Sequence, residues 1–187
     1  LPLPRHQYPE ENLKRLLTYA LFGNLLCRHQ TTHQDLAQTY PGIQGVGYSQ
    51  VIQPPALAAF EQSIRDQGFA DFQVRPPGQR DLYTAIIYLE PFSNRNLAAF
   101  GFDMFSEPVR REAMLAAAQS GDAALTGRVT LVQETDEDVQ AGLLMYVPVY
   151  QPGALLTTQE QRMEALRGFA YSPYRVNDLM QGILGTQ

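Results

Sequence analysis

The residue type that stands out most from its surroundings is Asp103. It lies in the run AAFGFDMF, residues 98–105, where every neighbour is apolar or glycine. A carboxylate among Phe and Met is expensive to bury unless donors reach it. On the residues alone two explanations stay open. In the first, backbone N–H groups near a helix beginning at 106 donate to it, or Arg110 or Arg111 pairs with it. Buried polar groups are usually satisfied from within the chain in this way. In the second, Asp103 faces a pocket and accepts a hydrogen bond from a ligand N–H or O–H.

Other reactive types do not assemble into a constellation. His29 and His33 have the i, i+4 spacing that places two imidazoles on one helix face. Only Asp35 stands near them as a third ligand, so a solvated helix face is the expected reading and no metal is assigned. Cys27 is the single cysteine, in the apolar run LLCRH; it forms no disulfide within the chain and reads as a packed residue. GYSQ at 47–50 lacks the second glycine of a nucleophile elbow. GIQGVG at 42–47 has the wrong glycine spacing for a dinucleotide fingerprint. The carboxylates Glu90, Asp103, Glu107 and Glu134 form no motif of their own. An enzyme reading and a cofactor therefore have no positive support.

The elements that must position Asp103 follow from periodicity and punctuation. Residues 1–9 carry three prolines and read as an extended lead-in. Leu13, Leu16, Leu17, Ala20, Leu21 and Leu25 recur at spacings of three and four, the stripe of an amphipathic helix. Beyond Pro41-Gly42, residues 43–52 alternate as a strand, and Pro54-Pro55 opens a helix over 56–67 closed by Gly68. Residues 71–74 and 82–90 read as strands, 94–100 as a short helix, and 107–120 as a longer one with Ser106 as N-cap and Gly121 as its end. Strands over 124–134 and 142–150 follow, joined by a solvated acidic connection. A short helix at 162–166, a strand at 168–176 and a helix at 176–184, with Leu179, Met180 and Ile183 inward, complete the chain.

Strands joined by short turns imply an antiparallel sheet, and the fold class expected is α+β, a PAS-like sheet flanked by helices and preceded by a long N-terminal stalk helix. The division is a lead-in with stalk helices over 1–40 and a sensor core over 41–187. At 187 residues, 44% hydrophobic and with a net charge of -5, the chain has the composition of a globular domain. That charge balance argues against nucleic acid as the partner. The longest apolar block, 141–150, contains Pro148 and falls well short of the roughly 18 residues of a membrane span.

PGIQGVGY, F-(x3)-I-(x3)-GF-x-DF-x-V at 60–74, RDLYTAIIYLEP, GFDMFSEPVRREAM, SGDAALTGRVTLVQE, YVPVY and LRGFAYSPYRVNDLM follow one another in the order and spacing of CHASE domains. The chain resembles that family from about residue 41 to 184. The resemblance implies an extracytoplasmic, periplasmic sensor of a transmembrane receptor, anchored through helices outside this chain. It also implies a small-molecule ligand of unknown identity. The stripe of Leu13, Leu16, Leu17, Ala20 and Leu21 offers a face for a second copy, so a homodimer through the stalk is expected. The output module the resemblance implies is a histidine kinase or a diguanylate cyclase. In the cytokinin-binding relatives the matching aspartate contacts the ligand, so the resemblance places Asp103 at the ligand. It places Leu125 in the same pocket wall, and a polar residue further along falls at Gln133 or Glu134. Tyr83, Tyr88, Met104, Thr126 and Tyr146 complete the expected wall. The ligand is expected to enter between the sheet and the helices near 94–110.

Overall fold

A computed structural model describes residues 43–92, 94–132 and 140–184. The expected stalk helix, its dimer contact, the acidic connection after 132 and the three histidines lie outside the described residues.

A five-stranded antiparallel sheet forms the centre, in the order β2-β1-β5-β4-β3. Its strands are β1 (Val46–Ile52), β2 (Tyr83–Glu90), β3 (Ala124–Leu125), β4 (Gly142–Tyr150) and β5 (Leu166–Arg175). Among the described residues, four α-helices flank it: α1 (Leu57–Arg65), α2 (Pro108–Ser120), α3 (Gln159–Ala165) and α4 (Val176–Leu184). The α+β expectation is met by this arrangement.

Alternation along β2 sorts the two cores. Tyr83, Ala85 and Ile87 join Tyr48, Ile64 and Phe72 on the α1 side. Ile86 points the other way, into the larger core with Met104, Met114, Tyr146 and Phe169 under α2. A β-bulge between Tyr48 and Ser49 shifts the register against β2, as an extra residue does in any ladder. Beyond it Tyr88 packs on the α1-side core and Leu89 on the α2 side.

Helix ends follow local chemistry. Gly121, at φ 87, ends α2 in the left-handed region, which glycine enters without steric cost. Thr158 and Gln161 form a reciprocal capping box at the start of α3. The N-cap of α2, however, is Glu107 rather than Ser106. Its carboxylate accepts the N–H groups of Val109 (3.1 Å) and Arg110 (2.9 Å). Pro108 is the first helical residue and holds the residue before it extended, which makes Glu107 the capping position. Ser106 instead donates its hydroxyl to the Asp103 carbonyl at 2.6 Å.

Three further expectations are corrected. Residues 71–74 form no strand; Arg75 alone makes a parallel bridge, to Phe102. Of the strand expected over 124–134, the described residues 124–132 form only Ala124–Leu125, with Val129 bridging Gly142 beyond it. Thr126 interrupts the ladder there. Its hydroxyl oxygen accepts the Leu144 N–H at 2.9 Å, taking the place of a backbone carbonyl. Met180, expected inward on α4, is 46% exposed.

What positions Asp103 is the free edge of β2. The Ile86 N–H donates to the Phe102 carbonyl (3.0 Å) and the Gly101 N–H to the Ile86 carbonyl (2.8 Å). On its outer side the same segment bonds Arg75, through Arg75 N–H to the Gly101 carbonyl (2.9 Å) and Asp103 N–H to the Arg75 carbonyl (2.6 Å). Residues 101–103 thus extend the sheet and cover an edge that would otherwise invite pairing with another chain. Gly101 has φ +81, and a Cβ there would run into the Gln73 carbonyl.

Candidate functional site

Asp103 is fully buried. Its two oxygens have different surroundings. Oδ1 accepts the Thr84 N–H at 2.8 Å, the Thr84 hydroxyl at 3.3 Å and the Phe105 N–H at 3.1 Å. The last of these makes Asp103 the N-cap of the short 3-10 turn Met104–Ser106. Oδ2 receives no hydrogen bond among the described residues. Its neighbour is the Arg80 guanidinium, whose Nε lies 3.3 Å away, close enough for an ion pair but not aimed for a hydrogen bond. Burial pushes the Asp103 carboxyl above the usual carboxylate range, against the downward pull of the Thr84 amide, Arg80 and the Phe105 amide. Desolvation wins because no water solvates the ionised form of this fully buried side chain.

The donor set answers the first reading of Asp103 in part. A backbone N–H does reach it, but the cation is Arg80, neither Arg110 nor Arg111. Arg111 donates to the Phe105 carbonyl at 3.0 Å. Arg110, 3% exposed, donates to the Thr130 carbonyl at 2.7 Å and lies over the Phe102 ring at 5.0 Å. It ties α2 to the segment that carries Asp103.

Arg80 stands between Asp103 and solvent. Its side chain is 19% exposed while that of Asp103 is not exposed at all. The guanidinium donates to the Gly78 carbonyl (3.2 Å) and the Pro76 carbonyl (3.1 Å) and lies 5.5 Å over the Tyr83 ring. Tyr83 in turn donates its hydroxyl to the Gly78 carbonyl at 2.8 Å. Outside this group lies an open depression of about 490 Å³, lined by Pro54, Gln79, Arg80, Asp81 and Tyr83. Its volume falls within the range of small-molecule sites. A second crevice, against Gly45, Leu89, Glu90 and Tyr171, has no room for a water molecule.

The other expected wall residues divide. Met104 follows Asp103 directly and packs on the α2 side, where the Tyr146 hydroxyl donates to its sulfur at 2.8 Å. Both are buried, and with Phe105 and Met114 they fill the layer between the sheet and residues 94–110. The volume beside Asp103 therefore lies outside Arg80 and not in that layer. Thr126 is buried and committed to Leu144. Leu125 is 61% exposed on the far edge strand, and Tyr88 packs into the opposite core. Gln133 and Glu134 lie outside the described residues.

Sequence reasoning did not single out Arg80. It is one arginine in a polar turn, PPGQRD at 76–81, and only the covering of β2 by residues 101–103 makes it a neighbour of Asp103. A faint signal existed in the turn itself, since Pro and Gly fold the chain back onto the strand they precede. Among the described residues no group of three His, Cys, Asp or Glu is placed to hold a metal ion. No helix among them is long and apolar enough to cross a membrane.

The family model of the CHASE domain matches residues 28–187. No curated protein matches the chain.

Proposed function

The chain belongs to the CHASE domain family, and from that membership and the geometry at Asp103 we propose that it binds a small molecule for a membrane receptor. CHASE domains are extracellular sensor domains of signalling receptors and are not themselves catalytic. The finer reading is a periplasmic, PAS-like core whose ligand shifts a two-state equilibrium by its differential affinity. Stalk helices within residues 1–40, paired in a homodimer, relay that shift to a cytoplasmic histidine kinase or diguanylate cyclase. The strand order β2-β1-β5-β4-β3 supports the PAS-like core.

One observation carries the ligand site. Oδ2 of Asp103 is buried without a hydrogen bond, and the only cation facing it among the described residues is a partly exposed arginine on the wall of a depression. An unsatisfied buried oxygen costs on the order of 1–3 kcal/mol. A ligand donor that reached it would recover that energy, and Arg80 is the side chain that has to move aside.

The satisfied state of Oδ1 favours a second reading. Three donors from Thr84 and Phe105 give the carboxylate a purely architectural use, as in an ectodomain that contacts another protein and takes no small ligand. A thermal-shift screen of the chain against purines, amino acids and carboxylates separates the two. The sensor reading requires a compound that raises the melting temperature in wild type and has lost that effect in Asp103→Asn. A hit that survives the substitution would contradict the role of Asp103.

A further inference from the structure

Resting on the reading that Asp103 and Arg80 border the ligand site, we infer that the ligand is a small zwitterion, an α-amino acid or close analogue. Its ammonium would bind Oδ2 of Asp103, and its carboxylate the guanidinium of Arg80.

The inference follows from what each kind of guest does to the pair. Oδ2 is enclosed, and Arg80 Nε at 3.3 Å is its counter-charge. A guest bearing only an anion draws Arg80 outward and strands a buried carboxylate, the costly half of a broken pair. A guest bearing only a cation satisfies Oδ2 but displaces Arg80 onto two neutral partners, the carbonyls of Pro76 and Gly78. A guest bearing both charges converts one poorly aligned ion pair into two charge-assisted ones. Such bonds are roughly twice as strong as neutral ones.

The surroundings suit this exchange. Arg80 is held by carbonyls of its own turn and by the Tyr83 ring, and its planar fork of donors matches a carboxylate. It lines the depression of about 490 Å³, so its outward swing has room. The depression is open, and Pro54 and the Tyr83 ring offer an apolar wall to the side chain of the guest. Uncharged side chains fit that wall best, since Asp81 and Arg80 already place one charge of each sign at the rim.

The test is isothermal titration of the chain with four sets of probes: neutral amino acids, their N-acetyl forms, their amides, and purines. The expected result is binding of at least one free amino acid. Loss of either charged group, by acetylation or amidation, should weaken it at least about tenfold. Arg80→Gln lies on the surface turn and leaves the core intact; it should cause the same loss and abolish discrimination between the acid and its amide. Equal binding of the acid and its amide overturns the inference, as does an amino acid that binds Arg80→Gln as tightly as wild type. A purine that binds and is lost in Asp103→Asn also overturns it while leaving the small-molecule sensor reading intact. No binding by any probe, with the chain folded by circular dichroism, overturns both.

Discussion

Replacing Asp103 with alanine takes the acceptor from the Thr84 N–H, 2.8 Å away and pointing to the outer edge of β2 as that of Ile86 does. It also takes one of two acceptors from the Phe105 N–H, which keeps the Thr84 hydroxyl at 3.0 Å. Hydrogen bonds to charged groups contribute about 1.5–3 kcal/mol each. The full loss at the Thr84 N–H, the longer Thr84 hydroxyl bond at 3.3 Å and the partial loss at Phe105, offset by no longer burying a carboxylate, come to a net destabilisation of about 2–4 kcal/mol. Arg80→Gln leaves that buried carboxylate without its counter-charge but breaks no hydrogen bond to it, and is expected to cost about 1–2 kcal/mol. Urea denaturation measures both, as a shift in midpoint at constant m. If Asp103→Ala were no more costly than Arg80→Gln, the Oδ1 network would not be holding residues 101–103 on the sheet.

The buried carboxyl also gives a pH signature. Burial raises the native Asp103 carboxyl above its unfolded value. Between the two values the native state keeps a proton that the unfolded state has lost. Stability contributed by this group is therefore full below the unfolded value, about pH 3.9, and is lost as pH rises through the native one. Wild type should lose stability relative to Asp103→Asn as pH climbs from about 4. A difference that grows in the opposite sense would mean that donors, and not desolvation, dominate the site.

Three other outcomes are expected. Gly101→Ala should lose about 1–3 kcal/mol, because φ +81 is strained for a side chain and the Cβ meets the Gln73 carbonyl; chemical denaturation reads it, and a neutral result would mean the edge segment shifts freely. Thr126→Val should cost about 1–3 kcal/mol by orphaning the buried Leu144 N–H, while Leu125→Ala, at an exposed position, should stay within about 0.5 kcal/mol; thermal melts of the two give the contrast. Burial raises the Tyr48 phenol to about 12 and those of Tyr146 and Tyr171 higher still. Unfolded phenols lose their protons near pH 10, so the native state binds more protons above that and stability should fall as pH rises. Phenolate absorbance of these three should appear only together with alkaline unfolding.

Local pattern was enough for the parts of this protein that local interactions decide. The run YTAIIYLE became β2 within one residue of its expected start, because β-branched and aromatic residues fill a strand buried on both faces. Gly121 ended α2 and Val176–Leu184 formed a helix as their sequences imply. Capping at 106 was misplaced by one residue because the preference of Ser for N-caps yielded to the geometry Pro108 imposes on its predecessor. The stalk helix expected within residues 1–40 lies outside the described residues.

The site was legible only as a tension. A lone aspartate among apolar residues implies that donors exist, without saying which. Tertiary structure chose them: Thr84, nineteen residues away, and Arg80, twenty-three away. The physical reason lies in the free edge of β2. Its unpaired Ile86 N–H and carbonyl draw residues 101–103 alongside, and this carries Asp103 to the start of the strand, where the turn at 76–81 has left an arginine. Edge pairing leaves no period in a sequence, because it depends on which backbone groups the rest of the sheet leaves unbonded.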